Sequence, residues 1–464
     1  MEVVQNMKLL LVNAIDHSRN IETVFPSLGL AYLSSSLKNH FPNIQIKIID
    51  RDIENVIKSY CPDFVGVSSV SQNFGRATEI GDLCKILKIP VFVGGVHITL
   101  LPESLPKAFD FGVYGEGEET IVDIMNYLHS GGISGSSEME KINGLLLHTD
   151  DGIKLTEMRT PIENLDVIPF PDRNLLNIPI GQTTYMFTSR GCPYKCAFCA
   201  STRVWDNIRW FSAEYVVDEI EEVIEKHKPW AISFYDDLFI ANFKRLEKIV
   251  DLICTKGLHK KVKFSFACRS NLVNERLIEV LKPLNIHMVC MGLESGCQRI
   301  LTYLKGGGIT VEQNQRAVNL FSKAKINIQG TFIIGSPDET EEEIIQTLNF
   351  IKRSSLTNFE VYLLTPLPGT PIWDEAKKMR LVANNMDWGK LAVENKEDKI
   401  ILSQLPKKRL LELYKLFMHE KRKRKVTYIV KTGMKNPFWV FKKLKLIKNQ
   451  LKLNDKIKNT FVKK

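Results

Sequence analysis

The chain has 464 residues, of which 44% are hydrophobic and 25% are charged, and its formal net charge is +10. This composition is ordinary for a soluble globular protein. No run of about 18 apolar residues is present, so no membrane-spanning helix is expected. The N-terminus lacks the basic start and long apolar core of a signal peptide, and we expect a cytoplasmic protein with two or three domains.

Residues 7–130 alternate strand-like and helix-like segments. The predicted strands lie in MKLLLVNAI, IQIKIID, DFVGVSSV, IPVFVGG and FDFGVYGEGE. Segments with helical spacing, such as SLGLAYLSSSLKNH and ATEIGDLCKILK, lie between them. This order is typical of an open, doubly wound parallel sheet. We therefore predict a Rossmann-like α/β domain over residues 1–140.

A second series of strands and helices begins near residue 181, after a connector predicted for residues 141–180. Its six candidate strands are TTYMFTS, AISFYDD, KFSFACR, HMVCMGLES, NIQGTFIIG and NFEVYLLTP. Six such units predict a partial (β/α)6 barrel of the TIM type over residues 181–385, with functional groups at the C-terminal strand ends. Residues 386–464 are expected to form a helical, lysine-rich C-terminal region.

Three of the nine cysteines lie within eight residues, in the segment RGCPYKCAFC. The spacing C-x3-C-x2-C places Cys192, Cys196 and Cys199 on a loop after the first barrel strand. Three thiolates on one loop suit three irons of a 4Fe-4S cube, and the fourth iron is then free to bind a small molecule. A zinc site is the main alternative, although zinc sites more often use two matched C-x2-C pairs. Three unrelated buried cysteines are the other alternative.

The cysteine loop resembles that of the radical S-adenosylmethionine superfamily, including an aromatic residue, Phe198, before the third cysteine. The resemblance implies that the three cysteines hold the catalytic cluster and that Phe198 packs near the adenine of S-adenosylmethionine. It also implies that the reduced cluster cleaves S-adenosylmethionine to a 5′-deoxyadenosyl radical. The cofactor supplies that chemistry, while the protein positions it and excludes water.

Three further strand ends resemble this family in the expected order. In FYDDLF, the pair Asp236 and Asp237 is implied to help hold the methionine end of the cofactor; helix capping is the alternative. Arg269 ends the third strand, and Glu294, followed by Ser295, ends the fourth strand. The resemblance implies a ribose contact for Glu294, while an internal ion pair between Arg269 and Glu294 is the alternative.

The segment GTFIIGSPDET carries Gly330, Gly335 and Pro337 at the end of the fifth strand. Its glycines, Gly335 in particular, would let the backbone approach the flat adenine closely, and simple turn formation is the alternative. The segment LTYLKGGGIT departs from the family, because three glycines follow Lys305 where relatives usually have one or two. Because of this departure, the sequence does not fix which residue of the family corresponds to Lys305.

The strand ends of the N-terminal domain are rich in glycine and serine and resemble a cobalamin-binding domain. Similar segments include GGVHITLLPESL, VYGEGEET, LDVIPFPDR and PSLGLAYLSSSL, and the resemblances together cover about residues 7–385. Open sheets bind ligands at these strand ends. The residues implied to contact cobalamin are Ser68, Gly94, Gly95, His97, Gly115 and Glu116, beside Ser69, Val70 and Gly117. The alternatives are a domain that acts only as a scaffold and, for His97, a loop histidine without ligand contacts.

The D-x-H-x-x-G loop that supplies a cobalt-binding histidine is absent after the first strand. Asp16 and His17 are adjacent there, and no glycine follows at the right offset. We therefore expect cobalamin to bind with no histidine on cobalt. Methylthio-transferring tRNA enzymes, which carry extra cysteines in this domain, are disfavoured because only Cys61 and Cys84 are available.

The positive charge of the chain is concentrated in residues 401–464, which contain 20 lysines and arginines against 3 acidic residues. Residues 421–425 read KRKRK, and Phe441, Leu444, Ile447 and Leu451 recur at helical intervals. Such a helix suits an anionic membrane surface or nucleic acid. The alternative is a helix whose apolar stripe packs on the barrel.

These observations predict a cobalamin-dependent radical S-adenosylmethionine enzyme, most readily a C-methyltransferase of an unactivated carbon. The expected cofactors are a 4Fe-4S cluster, S-adenosylmethionine and cobalamin. The expected partners are a small or lipid-like substrate, an external electron donor such as flavodoxin or ferredoxin, and a membrane surface contacted through the basic tail. A cyclase or rearrangement enzyme with the same cofactors, a cobalamin-free RNA-modifying enzyme and a non-enzymatic sensor remain as alternatives.

Overall fold

The computed structural model describes residues 7–17, 25–205, 207–393 and 398–435, with side chains up to residue 426. The described chain forms two parallel-type sheets joined through a shared apolar core. Among these residues, no helix is both long enough and apolar enough to cross a lipid bilayer. The helical stripe predicted from Phe441 to Leu451 lies outside the described residues.

The first sheet has seven strands in the order β2-β1-β3-β4-β5-β6-β7. The first five are parallel and carry the helices between them, as predicted, because their short apolar runs are buried. The strands are β1 (Lys8–Asn13), β2 (Gln45–Ile49), β3 (Phe64–Ser68), β4 (Val91–Gly94), β5 (Phe111–Val113), β6 (Leu145–Thr149) and β7 (Gly152–Leu155). The helices are α1 (Leu28–His40), α2 (Ile53–Tyr60), α3 (Phe74–Ile86), α4 (Val96–Leu100) and α5 (Glu118–His129).

Strands β6 and β7 were not predicted, and both lie within the segment interpreted as a connector. They form an antiparallel hairpin on the edge of β5. The first sheet therefore extends to Leu155, and only the segment after it links the two sheets.

The second sheet has six parallel strands in chain order, β15-β14-β13-β12-β11-β8. All six candidate strands of the predicted barrel are confirmed, and β8 and β15 are edges, so the barrel is partial. The strands are β8 (Thr183–Met186), β11 (Ala231–Phe234), β12 (Lys263–Cys268), β13 (Ile286–Glu294), β14 (Ile328–Ile334) and β15 (Asn358–Leu363). A short ribbon pairs β9 (Ser189–Arg190) with β10 (Arg209–Trp210).

Most of the helices that follow the strands of the second sheet begin at side chains that cap their first turns. Ser212 accepts a hydrogen bond from the Tyr215 amide, and Thr340 forms a capping box with Glu343, an arrangement that satisfies free helix-end amides. The helices are α6 (Ser201–Val204), α7 (Ala213–His227), α8 (Phe243–Thr255), α9 (Glu275–Leu281), α10 (Gln298–Lys305), α11 (Val311–Lys323), α12 (Glu341–Arg353), α13 (Pro371–Lys378) and α14 (Lys407–Lys435).

Helix α14 contains the basic run and packs on the barrel. Leu410, Leu413 and Phe417 are fully buried. Lys421 lies 2.5 Å from Glu360, and Arg424 donates to the Leu356 carbonyl oxygen at 3.0 Å. Two of the five basic side chains therefore bind the barrel, which agrees with the packing alternative for this part of the tail.

Candidate functional site

The cysteine loop begins at the C-terminal end of β8 and is fixed by a buried carboxylate. Asp236 is 4% exposed. Its Oδ1 accepts hydrogen bonds from the Thr188 amide at 2.6 Å and the Ser189 amide at 3.3 Å, and its Oδ2 accepts one from the Thr188 hydroxyl. Since these bonds occupy the carboxylate, Asp236 positions the start of the loop, and its predicted helix-capping alternative is not observed.

Each of the three cysteine sulfurs receives a hydrogen bond from a nitrogen donor. Arg269 Nη1 lies 3.4 Å from Cys196 Sγ. The Tyr194 amide donates to Cys192, and two amides at the start of α6 donate to Cys199. Such donors stabilise a sulfur atom that carries negative charge. The loop is therefore suited to thiolate ligands, which a cluster requires.

Burial dominates the titration of the two outer cysteines when no metal is bound. It raises the pKa of Cys192 and raises that of Cys199 to about 11, while the amide donors oppose this effect. A metal that binds these sulfurs must therefore displace protons.

Among the described residues, no three His, Cys, Asp or Glu side chains converge on one point as the ligands of a single metal ion do. A 4Fe-4S cube does not require its ligands to converge on one point, because each thiolate binds a separate iron. Cys192 and Cys199 both lie close enough to Cys196 for its charge to raise their pKa values, so both are near the middle cysteine of the loop. The donor chemistry of the loop thus fits a cube held by three thiolates.

Arg269 is held against the cysteine loop and not against Glu294. It is 5% exposed, and its guanidinium lies 3.9 Å from the centre of the Tyr194 ring. Glu294 instead pairs with Lys305 at 3.1 Å, and Lys305 also donates to the Gly292 carbonyl oxygen at 2.7 Å. The alternative of an Arg269–Glu294 ion pair is therefore wrong.

Glu294 adopts a left-handed backbone with φ of +57°, beside a register shift in β13. This conformation is uncommon for a residue with a side chain and is often found at functional sites. Ser295 next to it is buried and hydrogen bonds Thr347 at 3.0 Å, so it supports the strand end. The ribose contact implied for Glu294 stays a prediction.

The glycines at the end of β14 face protein atoms. A Cβ on Gly330 would meet Leu293 at 3.0 Å, and one on Gly335 would meet Leu410 of α14 at 3.1 Å. Gly335 has φ of +87°, and its amide donates to Glu339 at 2.6 Å. These contacts agree with the turn alternative, and the buried Pro337 belongs to the same turn. The adenine contact of Gly335 stays a prediction.

Phe198 is half-buried against the apolar cluster that includes Leu304 and Trp373. Asp237 is open to a large cavity and accepts a hydrogen bond from the Ser201 hydroxyl, at the start of α6. Enclosure by the cavity walls raises the pKa of Asp237, and this hydrogen bond opposes the shift. Asp237 therefore lies close to Cys199, and its contact with the methionine end of S-adenosylmethionine stays a prediction.

The cavity has a volume of about 1010 Å³ and is lined by the C-terminal strand ends of both sheets. The first-sheet wall includes Ser68, Gly94, Gly95 and Gly115, and the barrel wall includes Tyr185, Phe187, Tyr235, Asp237 and Cys290. The two predicted cofactor regions thus face one common space, which is the central feature of the site.

Part of the first-sheet wall is formed by glycine and serine residues, beside larger apolar residues such as Phe92. At Gly29 and Gly115, an added Cβ would meet no protein atom within 4 Å, and both residues line the cavity. Gly95 has φ of +101°, and its Cβ would lie 2.7 Å from the Ser69 carbonyl oxygen. Glycine is therefore required at Gly95. The result is an open recess that fits a large flat ligand such as the corrin of cobalamin.

No histidine is among the described residues that line this cavity. His17 points elsewhere, because its Nε2 donates to the Asp50 carbonyl oxygen at 2.8 Å. Asp16 and His17 both border a separate pocket of about 590 Å³. The expectation that cobalamin binds with no histidine on cobalt stays a prediction.

His97 cannot reach a ligand, and its predicted contact to the corrin is wrong. It is 0% exposed, and its two ring nitrogens hydrogen bond the hydroxyls of Ser71 and Ser104, each at 3.0 Å. Its ring also packs on Phe74 and on Trp388. Burial lowers the pKa of His97 to about 3, so the ring is neutral.

Glu116 lines the cavity, but its carboxylate is occupied by contacts between the two domains. Arg190 donates to it at 2.7 Å and Arg209 at 2.8 Å, while Arg190 also binds Glu118. Burial alone would raise the pKa of Glu116, but hydrogen bonds and charge from the two arginines lower it overall. Glu116 therefore ties the first sheet to the cysteine loop, a role that the sequence analysis did not predict.

Several residues of the site were missed by the sequence analysis. Arg190 directly precedes the cysteine loop, and its position between β8 and Cys192 was the available signal. Arg209, Tyr194 and Gly29 had no comparable signal, since their roles depend on partners far away in the chain.

Comparisons with known proteins agree with this geometry. Residues 186–351 match the radical SAM superfamily, and residues 18–125 match the B12-binding domain. An uncharacterized methyltransferase of Pyrococcus horikoshii is 34% identical over 414 residues, which cover 83% of this chain and 86% of that protein. An anaerobic magnesium-protoporphyrin IX monomethyl ester cyclase of Cereibacter sphaeroides is 25% identical, with 80% of this chain and 64% of that protein covered.

Among solved structures, the fold is similar to that of the radical S-adenosylmethionine methyltransferase TsrM from Kitasatospora setae. The TM-score is 0.68 and the identity is 19%, with 82% of this chain and 79% of that chain covered. That structure holds cobalamin and a 4Fe-4S cluster. The likeness shows that the two chains share a fold, in which the domain of the first sheet precedes the barrel along the chain.

Proposed function

The chain belongs to the radical S-adenosylmethionine enzymes that carry a cobalamin-binding domain, and we propose that it transfers a methyl group to an unactivated carbon atom of its substrate. Its cofactors are a 4Fe-4S cluster, S-adenosylmethionine and cobalamin. The match to a B12-binding domain disfavours the alternative of a cobalamin-free RNA-modifying enzyme. The observation that carries the proposal is the single cavity lined by both sheets, because methyl transfer requires both cofactors to face one substrate.

When bound, the cluster supplies the electron that cleaves S-adenosylmethionine, and cobalamin supplies the methyl group. The residues Cys192, Cys196 and Cys199 would hold the cluster, and Asp237 would accept hydrogen bonds from the ammonium group of S-adenosylmethionine. Arg269 orients the loop through Cys196 and Tyr194.

The first-sheet wall and the domain contacts complete the site. Ser68, Gly94, Gly95 and Gly115 would line the recess for the corrin, since their small size keeps that wall open. The Glu116–Arg190 pair links the first-sheet wall to the start of the cysteine loop.

The direct test of methyl transfer is the fate of S-adenosylmethionine. The reconstituted enzyme would be incubated with S-adenosylmethionine, hydroxocobalamin, a strong reductant and an extract of apolar metabolites. Methyl transfer predicts that S-adenosylhomocysteine and 5′-deoxyadenosine both accumulate, and that a product gains one CH2 in mass. Formation of 5′-deoxyadenosine alone would remove the proposal and favour the second candidate, a cyclase, which the similarity to the Cereibacter enzyme supports.

We also propose two partners, an external electron donor of the flavodoxin or ferredoxin type and an anionic membrane surface. The second is supported by the composition of residues 421–464, where lysines alternate with apolar residues. Sedimentation with vesicles of anionic lipid would compare the full chain with a chain that ends at residue 435. Equal sedimentation of both chains would rule out membrane contact through residues 436–464.

A further inference from the structure

We propose that the barrel wall of the cavity binds a substrate with a neutral, largely apolar ring framework, and that it excludes compounds whose entering part bears a phosphate or carboxylate. This inference rests on the proposed function in one respect, that the substrate meets the cofactors in this cavity. It deepens that function by naming the chemical class of the substrate.

The barrel wall and the adjoining Phe25 present an aromatic surface to the cavity. Phe25 stacks on Tyr235 with ring centres 5.0 Å apart and meets Tyr185 edge-on at 5.2 Å, while Phe187 lies 5.6 Å from Tyr235. These rings come from both domains and form a continuous patch inside the cavity. Tyr235 is 43% exposed although it lies inside the protein fold. An exposed aromatic patch inside a cavity is suited to apolar rings, which gain from stacking as well as from burial.

The charged groups of the cavity also favour a neutral ligand. Among the described residues that line it, Arg190 is the single cationic side chain. Its guanidinium is already bound by Glu116 and Glu118, and its side chain is only 10% exposed. The most exposed carboxylate is Asp237, and the ammonium group of S-adenosylmethionine would neutralise it, so the described lining leaves no cationic side chain for an entering anion. An anionic group that entered would lose its hydration without gaining a cationic partner, which is unfavourable.

The test compares two probes that differ by one charged group, phenylnaphthylamine and its sulfonated analogue anilinonaphthalene sulfonate. Both would be equilibrated by anaerobic dialysis against the full chain loaded with cluster, cobalamin and S-adenosylmethionine. We expect the neutral probe to bind at least roughly tenfold more tightly than the sulfonate. Equal binding, or tighter binding of the sulfonate, would overturn the proposal. So would loss of neutral-probe binding when cobalamin is loaded, because cobalamin would then occupy the aromatic wall.

Three variants test whether the neutral probe binds at this wall. Tyr235→Ala is expected to weaken binding of the neutral probe roughly tenfold. Trp230→Ala is the matched control, because Trp230 is also an exposed aromatic residue, 47% exposed, but lies before β11 at the opposite end of the barrel. Glu118→Gln removes one partner of Arg190 and is expected to improve sulfonate binding. An equal effect of Trp230→Ala and Tyr235→Ala would contradict the assignment.

These measurements need neither electrons nor turnover. Failure of methyl transfer would therefore leave the binding preference intact, while equal binding of the probes would refute the substrate class without affecting methyl transfer.

Discussion

The two walls of the shared cavity contribute in different ways. On the barrel side, predicted site residues with reactive or charged groups lie at the site, as Cys196 and Asp237 do. On the first-sheet side, the predicted polar residues His97 and Glu116 are occupied by other protein groups, and glycines line the cavity instead. The barrel wall therefore contributes reactive and charged side chains, and the first-sheet wall contributes open space for a ligand.

The largest expected effect follows from removing chemistry at the barrel wall. Cys196→Ala should abolish the cluster, because each thiolate holds its own iron and the sulfur bound by Arg269 is lost. Iron content and production of 5′-deoxyadenosine should both fall to background. Cys254→Ala is the matched control, since Cys254 is a half-buried cysteine on α8, outside the loop. Retention of iron in the Cys196 variant would mean that other residues bind the metal.

A change of shape at the first-sheet wall should have the next largest effect. Gly29→Leu places a side chain in open cavity space and should reduce bound cobalt roughly tenfold or more, with iron unchanged. Gly75→Leu is the control, because Gly75 is also the second residue of a helix with no atom near its Cβ, but borders the smaller pocket. Equal cobalt in both variants would show that the corrin lies elsewhere.

The contact between the walls is expected to affect stability. Glu116→Gln leaves two largely enclosed arginines, with side chains 10% and 12% exposed, with weaker partners, and should lower the free energy of unfolding by about 3–5 kcal/mol. Glu247→Gln breaks an exposed pair with Arg276 and should cost about 0–1 kcal/mol. Urea unfolding of both variants tests this difference. A small effect for Glu116→Gln with a large loss of cobalt would instead make Glu116 a cofactor ligand.

His97 gives the smallest effect and one that depends on pH. Its folded pKa is about 3, below the unfolded value, so the unfolded state binds the extra proton. Stability should therefore be complete above about pH 6.5 and fall by about 2 kcal/mol by pH 5. His97→Phe should remove this part of the pH dependence, as measured by urea unfolding at the two pH values. A loss of cobalt without any change in the pH dependence would contradict the structural role of His97.

The sequence predicted the strands well because their apolar runs are short and are followed by glycine, serine or charged residues. The hairpin of β6 and β7 was missed although GLLLHTDDGIKL places two aspartates, followed by a glycine, between two apolar runs, and these residues are typical of tight turns. The cysteine loop was predictable because its ligands are close in sequence and their spacing is specific.

The remaining site residues depend on contacts that sequence alone does not reveal. His97 is buried by Trp388, which lies in a different part of the chain. Glu294 pairs with Lys305 and has a left-handed backbone at the strand end. The segment MGLESG gives no sign of this conformation. Glu116 is bound by arginines from the other domain. In each case tertiary packing decided which groups stayed free for a ligand.

The most direct test of the account is metal analysis of the full chain after anaerobic reconstitution with iron, sulfide and hydroxocobalamin. The two-wall site predicts about four irons and one cobalt per chain, with a visible spectrum of both cofactors. Iron without cobalt would contradict the role of the first-sheet wall. Zinc in place of iron would contradict the central claim that the three cysteines hold a cluster.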